Sequence, residues 1–197
     1  MKSLAGTKTR ENLLKSFAGE SQARARYVMY AKAAEKEGYR QIAKLFMETA
    51  DNEYQHGKRF FNFLVEGLKE ELPTVVEISA GYPVAKGDTI ENLKAAAAGE
   101  KEEWDELYPE FARIAKEEGF PEVAAAYLKI ADAEKRHEIR FNKLRENVEK
   151  GIVFQREETR EWICQKCGYV HTGNSAPNTC PTCLHPQAYF ELFVENY

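Results

Sequence analysis

The chain contains no apolar run approaching the length of a membrane span, and its opening residues Met1-Lys-Ser-Leu-Ala-Gly6 lack the hydrophobic stretch of a secretory leader. It has no basic stripe either. The net charge of −4 is spread along 197 residues, which argues against a nucleic-acid partner. A nucleotide-binding glycine motif is also missing. Cysteine is scarce: the chain has 4, all in Cys-x-x-Cys pairs. Without an export signal, such pairs read as metal ligands rather than disulfides. The expected location is the cytoplasm, with no membrane contact.

What is present points to buried metal chemistry. Hydrophobic residues make up 43% of the chain, enough for a real core, and the length suits one medium domain followed by a small one. Two Glu-x-x-His motifs stand out, Glu53-Tyr-Gln-His56 and Glu134-Lys-Arg-His137. Residues three apart on a helix share a face, so each pair can reach one metal. Each motif is matched to a glutamate on an earlier helical stretch, Glu20 and Glu100. Two such motifs plus two further glutamates form the ligand set of a di-iron or di-manganese helical bundle.

Four segments carry the helical period. Their apolar stripes run Leu13, Phe17, Tyr27, Ala34; then Ile42, Phe46, Phe60, Phe63; then Ile90, Leu93, Ala97, Trp104, Leu107, Phe111; and last Val123, Tyr127, Ile130, Phe141, Leu144. The glutamates and histidines fall in the middle of these stripes, where a lone carboxylate costs several kcal/mol and requires a partner, either a metal or a buried Arg or Lys. Gly38 and Gly119 are placed as C-terminal caps, Pro121 as a first-turn proline, and Asp88-Thr-Ile-Glu91 as a capping box. Very short turns make helices one and two, and three and four, antiparallel hairpins. The stretch from Gly67 to Gly87 is long enough to cross the bundle, giving the one-crossover topology of ferritin-like folds; Val75 to Ile78 within it has extended character.

The hairpins also resemble each other. Ala18-Gly-Glu20 matches Ala98-Gly-Glu100, and Arg59-Phe60 after the first motif matches Arg140-Phe141 after the second. One residue is added between Glu100 and Glu118, near Tyr108-Pro109, which predicts a π-bulge. In the expected site Glu53 and Glu134 bridge two metals, Glu20 and Glu100 are terminal ligands, and His137 gives a nitrogen to one metal. The pseudosymmetry breaks at Glu103, which shares the face of Glu100 while its counterpart is Ala23. Counting His56, that makes seven candidate ligands. Glu103 and His56 are the candidates for exchange with redox state; the alternative leaves Glu103 as a hydrogen-bonding neighbour. Tyr27 and Tyr108 either hydrogen-bond a ligand carboxylate or simply pack in the core.

From Ile152 onwards the helical period stops. Cys164-Gln-Lys-Cys167-Gly-Tyr is followed by Cys180-Pro-Thr-Cys183. About 45 residues cannot build a self-sufficient core, so a bound metal is expected to hold the module folded. Four thiolates make a tetrahedral site that accepts zinc or iron. Trp162, Tyr169, Tyr189, Phe190 and Phe193 are expected around it, while His171 and His185 are expected to be surface residues. The division is 1–151 for the bundle and 152–197 for the four-cysteine module.

Taken together, Ala-Gly-Glu20, Glu53-x-x-His56, Ala-Gly-Glu100-x-x-Glu103, Glu134-x-x-His137, Trp162-x-Cys164-x-x-Cys167-Gly-Tyr and Cys180-Pro-x-Cys183 leading to His185-Pro-Gln-Ala-Tyr-Phe190 resemble the rubrerythrin family. The resemblance spans nearly the whole chain, and Glu103 separates it from plain ferritins. It implies a ferritin-like di-iron bundle followed by a rubredoxin-like domain with one iron. It further implies a non-haem peroxidase that reduces hydrogen peroxide to water in oxidative-stress defence. Electrons would come from an NAD(P)H-dependent reductase or rubredoxin, and the chains would form homodimers or larger assemblies. One departure is Leu184, where simple rubredoxins have glycine; a crowded knuckle is expected there. A ferroxidase, and a zinc ribbon on a structural bundle, are the alternatives.

Overall fold

Each long helix of the chain carries a polar layer between two apolar ones, and that arrangement decides how the rods pack. The computed structural model describes residues 1–196. Its helices are α1 (Lys8–Lys36), α2 (Arg40–Gly67), α3 (Thr89–Glu102), α4 (Tyr108–Glu117) and α5 (Pro121–Glu149). A π-helical turn, Glu103–Leu107, joins α3 to α4, so the two form one continuous rod and the bundle has four. The added residue of the second hairpin is absorbed in that turn, as expected from the sequence.

The ends are set by local chemistry. Thr7 caps α1 by accepting from the Arg10 amide, and Asp88 with Glu91 forms a reciprocal capping box on α3. Gly38 (φ +89°) and Gly119 (φ +79°) take the left-handed conformation that lets the chain reverse directly into the next helix. α1 and α2 therefore pack as one hairpin, and α3–α4 with α5 as the other. Between the hairpins, residues 68–88 cross the bundle without regular structure, so Val75 to Ile78 form no strand. Side chains pin this strap to α1: Tyr82 donates to the Lys15 carbonyl at 2.8 Å, and Tyr30 donates to the Ala85 carbonyl at 2.6 Å.

The core is in two parts. One contains Leu13, Phe60, Phe63, Tyr108, Val123 and Tyr127; the other contains Tyr27, Tyr30, Phe46, Leu93, Phe141 and Leu144. Along every rod the glutamates lie between these two sets, so a charged layer is enclosed by apolar packing above and below. Phe141 is fully buried with ring centroids 5.1 Å from Phe46 and 5.4 Å from Tyr27. Phe141→Ala is expected to cost about 3–5 kcal/mol, read as a lowered thermal midpoint of the metal-loaded protein. A midpoint unchanged within error would mean that this layer does not support the fold.

The C-terminal module is a three-stranded antiparallel sheet, order β2-β1-β3, made of β1 (Gln155–Cys164), β2 (Val170–Ser175) and β3 (Phe190–Leu192). Its small core holds Trp162, Cys164, Ala176, Cys180 and Phe190, with Tyr169 and Tyr189 against it. Phe193, expected there, is half-buried outside that cluster. The module leans on the start of α2: Tyr39 stacks on Phe154 with centroids 6.4 Å apart, and the Arg40 guanidinium lies 4.2 Å from the Tyr189 ring centroid.

Candidate metal centre

Four glutamates, Glu20, Glu53, Glu100 and Glu134, are buried at 1% exposure or less in the layer between the two cores. They come from α1, α2, α3 and α5, one per rod, because each sits mid-stripe on its helix. His56 and His137 join them one turn beyond Glu53 and Glu134. The ligand atoms fall into two groups, Glu20, Glu53, His56, Glu134 and Glu53, Glu100, Glu134, His137, each with its atoms within 4.8 Å of one another. Glu53 and Glu134 belong to both. Two ions placed in these groups would share those two carboxylates, which is what the sequence-based assignment asks of bridging ligands.

The donor atoms converge rather than pair. His56 Nδ1 lies 2.8 Å from Glu134 Oε1, and His137 Nδ1 lies 2.8 Å from Glu134 Oε2. Yet both Glu134 oxygens, Glu20 Oε2, Glu53 Oε1, Glu100 Oε2 and His137 Nδ1 lack a hydrogen bond of acceptable geometry. So many orphaned acceptors in a dry layer are destabilising unless a cation completes them. Oxygen and imidazole donors with paired carboxylates suit iron or manganese.

Two tyrosines complete the layer, and they cross between hairpins. Tyr27 on α1 donates to Glu100 Oε1 at 2.5 Å, and Tyr108 on α4 donates to Glu20 Oε1 at 2.5 Å. Each orients a buried glutamate of the opposite hairpin, a choice that sequence spacing left open. Gly57 does a related job: a Cβ there would lie 3.2 Å from Glu20 Cβ, so a glycine lets α1 and α2 approach closely at the site without crowding Glu20.

Electrostatics explain why such a cluster needs either protons or metal. Burial, reinforced by neighbouring carboxylates, pushes Glu20, Glu100 and Glu103 well above the ordinary 4.5. Glu53 goes the other way, to about 2, because contacts with His137 and His56 outweigh its burial. Burial also opposes charge on the histidines, but Glu134 and Glu53 raise His56 to about 10, and Glu100, Glu134 and Glu53 raise His137 to about 12. The metal-free centre thus holds protons on His56 and His137 at neutral pH. Ions must displace those protons, so metal affinity is expected to fall as pH falls, and calorimetry in buffers of different ionisation enthalpy should show net proton release.

The stability of the metal-free bundle has the opposite sign. Histidines raised from 6.5 to about 10 and 12 stabilise the fold fully below pH 6.5, and that contribution is lost as pH rises toward those values. Denaturant titrations of metal-free protein should therefore show decreasing stability above pH 6.5. A flat profile would show that the histidines are not paired with the carboxylates.

Glu103 stands apart. It is half-buried and joins neither tight group. Its Oε1 lies 3.8 Å from where a Cβ on Gly19 would be, facing a cavity of about 370 Å³ that Tyr82, Pro83 and Arg26 also line. Arg26 was not among the sequence-based candidates. The signal was there: it lies seven residues after Gly19 and three after the buried Ala23, on the inward face of α1.

The second cluster is a cage of thiols. Sγ atoms of Cys164 and Cys183 are 3.7 Å apart, as are those of Cys167 and Cys180. A disulfide needs about 2.05 Å. A tetrahedron with metal–sulfur bonds of about 2.3 Å has edges of about 3.8 Å, so the spacing fits one ion held by four thiolates. The amides of Cys183 and Thr182 draw the Cys180 thiol down to about 7 against the opposing effect of desolvation. The two knuckles are built alike: the Gly168 amide donates to the Cys164 carbonyl and the Leu184 amide to the Cys180 carbonyl, both at 2.9 Å. Leu184 adopts φ +60° where Gly168 has +78°. Its side chain is 77% exposed, so it points into solvent and does not crowd the cage, contrary to expectation. Beside the cage, His185 Nδ1 lies 3.0 Å from the Cys183 carbonyl and the ring packs edge-on to Tyr189, so it is not a bare surface residue.

The Rubrerythrin family model matches residues 11–162, and the model for the rubrerythrin rubredoxin-like domain matches residues 162–191. The chain belongs to the rubrerythrin family. Rubrerythrin-1 of Clostridium acetobutylicum is 59% identical over 198 residues, covering 100% of both chains. Rubrerythrin of Nitratidesulfovibrio vulgaris is 49% identical, again over 100% of both. Among solved structures, a partially reduced nigerythrin is 32% identical at TM-score 0.62, covering 98% of this chain and 92% of that one. A bacterioferritin of Rhodobacter capsulatus matches at TM-score 0.64 but 21% identity, over 76% of this chain and 89% of that one, and shows the ferritin-like fold alone. The carboxylate–histidine cluster and the four-cysteine cage correspond to the di-iron and rubredoxin-like iron sites of the family. Among the described residues, no helix is long and apolar enough to cross a membrane.

Proposed function

We propose that the protein reduces hydrogen peroxide to water at the carboxylate–histidine centre, as an oxidative-stress enzyme of the cytoplasm. Its reductant is an NAD(P)H-dependent reductase or a rubredoxin, whose electrons enter through the four-cysteine iron. The observation that carries this reading is the sharing of Glu53 and Glu134 by two ligand groups in the same chain as a thiolate cage. A paired metal site can deliver an electron pair to one peroxide, and the cage can accept electrons singly and pass them on. The chain as a homodimer or larger assembly would let one subunit's cage approach another's centre.

In this reading Glu20, Glu53, His56, Glu100, Glu103, Glu134 and His137 hold the iron pair, and Cys164, Cys167, Cys180 and Cys183 hold the single iron. When bound, the iron pair supplies the electrons that cleave the O–O bond. The side chains do the rest. Tyr27 and Tyr108 fix the orientation of Glu100 and Glu20. The apolar layers on both sides exclude bulk water from the reduced centre. Glu103 and His56 would be interchangeable ligands of one metal, the carboxylate suited to the oxidised centre and the neutral imidazole to the reduced one. Crystal structures in both redox states test the exchange; identical coordination removes it.

The activity itself is tested by reducing the iron-loaded protein fully and mixing it with peroxide or with air while both chromophores are followed. Much faster reoxidation by peroxide is the expected result. Faster reoxidation by air would make the protein an oxidase or ferroxidase instead.

A further inference from the structure

Arg26 is the one buried lysine or arginine among the described residues, at 7% exposure. A buried guanidinium normally has a carboxylate against it. Here Nε donates to Gln22 Oε1 at 2.7 Å, and Nη1 has no hydrogen-bond partner. Its Nη2 lies 3.8 Å from where a Cβ on Gly99 would be. Gly99 and Glu103 are four residues apart along the α3 rod, so they occupy adjacent turns of one face. Arg26 therefore rests one turn from Glu103, and both line the same cavity under the strap.

The two Ala-Gly-Glu segments thus face different groups. Gly19 faces the Glu103 carboxylate and Gly99 faces the Arg26 guanidinium, each 3.8 Å from the glycine's Cβ position.

We propose that Arg26 is a positioning residue that receives the Glu103 carboxylate on the cavity side whenever that carboxylate is not a metal ligand. The inference rests on the ligand exchange proposed above. It gives the free carboxylate a charge-assisted partner, and so favours the reduced centre.

The test is a redox titration of the di-iron centre in iron-loaded wild type, R26Q, E103Q and the double variant. R26Q is expected to shift the oxidised-to-reduced equilibrium about tenfold toward the oxidised form, roughly 30 mV downward for a two-electron couple. In the E103Q background the same substitution should give no shift, because its target is gone. An equal shift in both backgrounds, or none in either, overturns the role of Arg26. If E103Q alone leaves both the potential and the coordination unchanged, the ligand exchange itself fails. Should R26Q not load iron, R26K carries the test: a smaller shift of the same sign, again abolished by E103Q, supports the proposal, and a shift that persists overturns it.

Discussion

Glu134→Gln is expected to empty the bundle of its metal pair while the cysteine cage keeps its iron. Glu134 belongs to both ligand groups, and neither of its oxygens has a hydrogen bond to fall back on. The amide keeps the volume but replaces one donor oxygen with an NH2 group that cannot ligate and removes the charge that faces both histidines at 2.8 Å. Removing a partner one shell further out typically costs 10–100-fold in metal affinity, so loss of a shared ligand should exceed about 100-fold. Iron analysis should fall to the content of the cage, and peroxide-driven reoxidation of the bundle should disappear. Because Glu134 offsets the charge on both histidines in the metal-free centre, the metal-free variant should also be less stable than metal-free wild type at neutral pH. A Glu134→Gln protein that retains its full iron complement would show that the pair is held elsewhere.

Cys180→Ser should have the second largest effect, and it separates the two halves of the molecule. Cys180 is fully buried in a small core whose other members are Trp162, Cys164, Ala176 and Phe190. That core is too small to hold the sheet unaided, and a structural four-ligand metal contributes on the order of 10 kcal/mol to such modules. Serine is a poor substitute ligand, so the thiolate absorption should vanish and residues 155–192 should become protease-sensitive. The helical signal should stay, because the bundle has its own two cores. Turnover driven by a reductase should drop to background, whereas a chemically prereduced bundle should still react once with peroxide. Unchanged reductase-driven turnover would sink the route through the cage.

Much of this was legible in the chain because helical spacing is a strong geometric code. Glu53 and His56 must share a face if the segment is helical, and apolar residues a turn away on both sides say that the face is inward. The same code called for a π-turn, since a one-residue insertion between Glu100 and Glu118 in a rod that continues must be absorbed somewhere, and it lies just before the expected Tyr108-Pro109, at Glu103–Leu107. Cys-x-x-Cys knuckles are equally local. Spacing fails where a side chain crosses to another rod. The exchange of Tyr27 and Tyr108 between hairpins, the approach of Gly57 to Glu20, and the placement of Arg26 against Gly99 all depend on inter-helix distances that no single segment carries. The Leu184 expectation failed for a related reason: its left-handed backbone was implied by position, but only the surrounding surface decides where the side chain goes.

By itself the sequence determined the four rods, the donor atoms on each and the four-thiol module, since period and spacing within a segment fix which side chains share a face. Only the tertiary structure decided that Glu53 and Glu134 are common to two ligand groups, that Glu103 turns toward a cavity, and that one buried arginine waits a turn away. Those are contacts between elements, and they follow from how the rods pack rather than from the order of residues within any one of them.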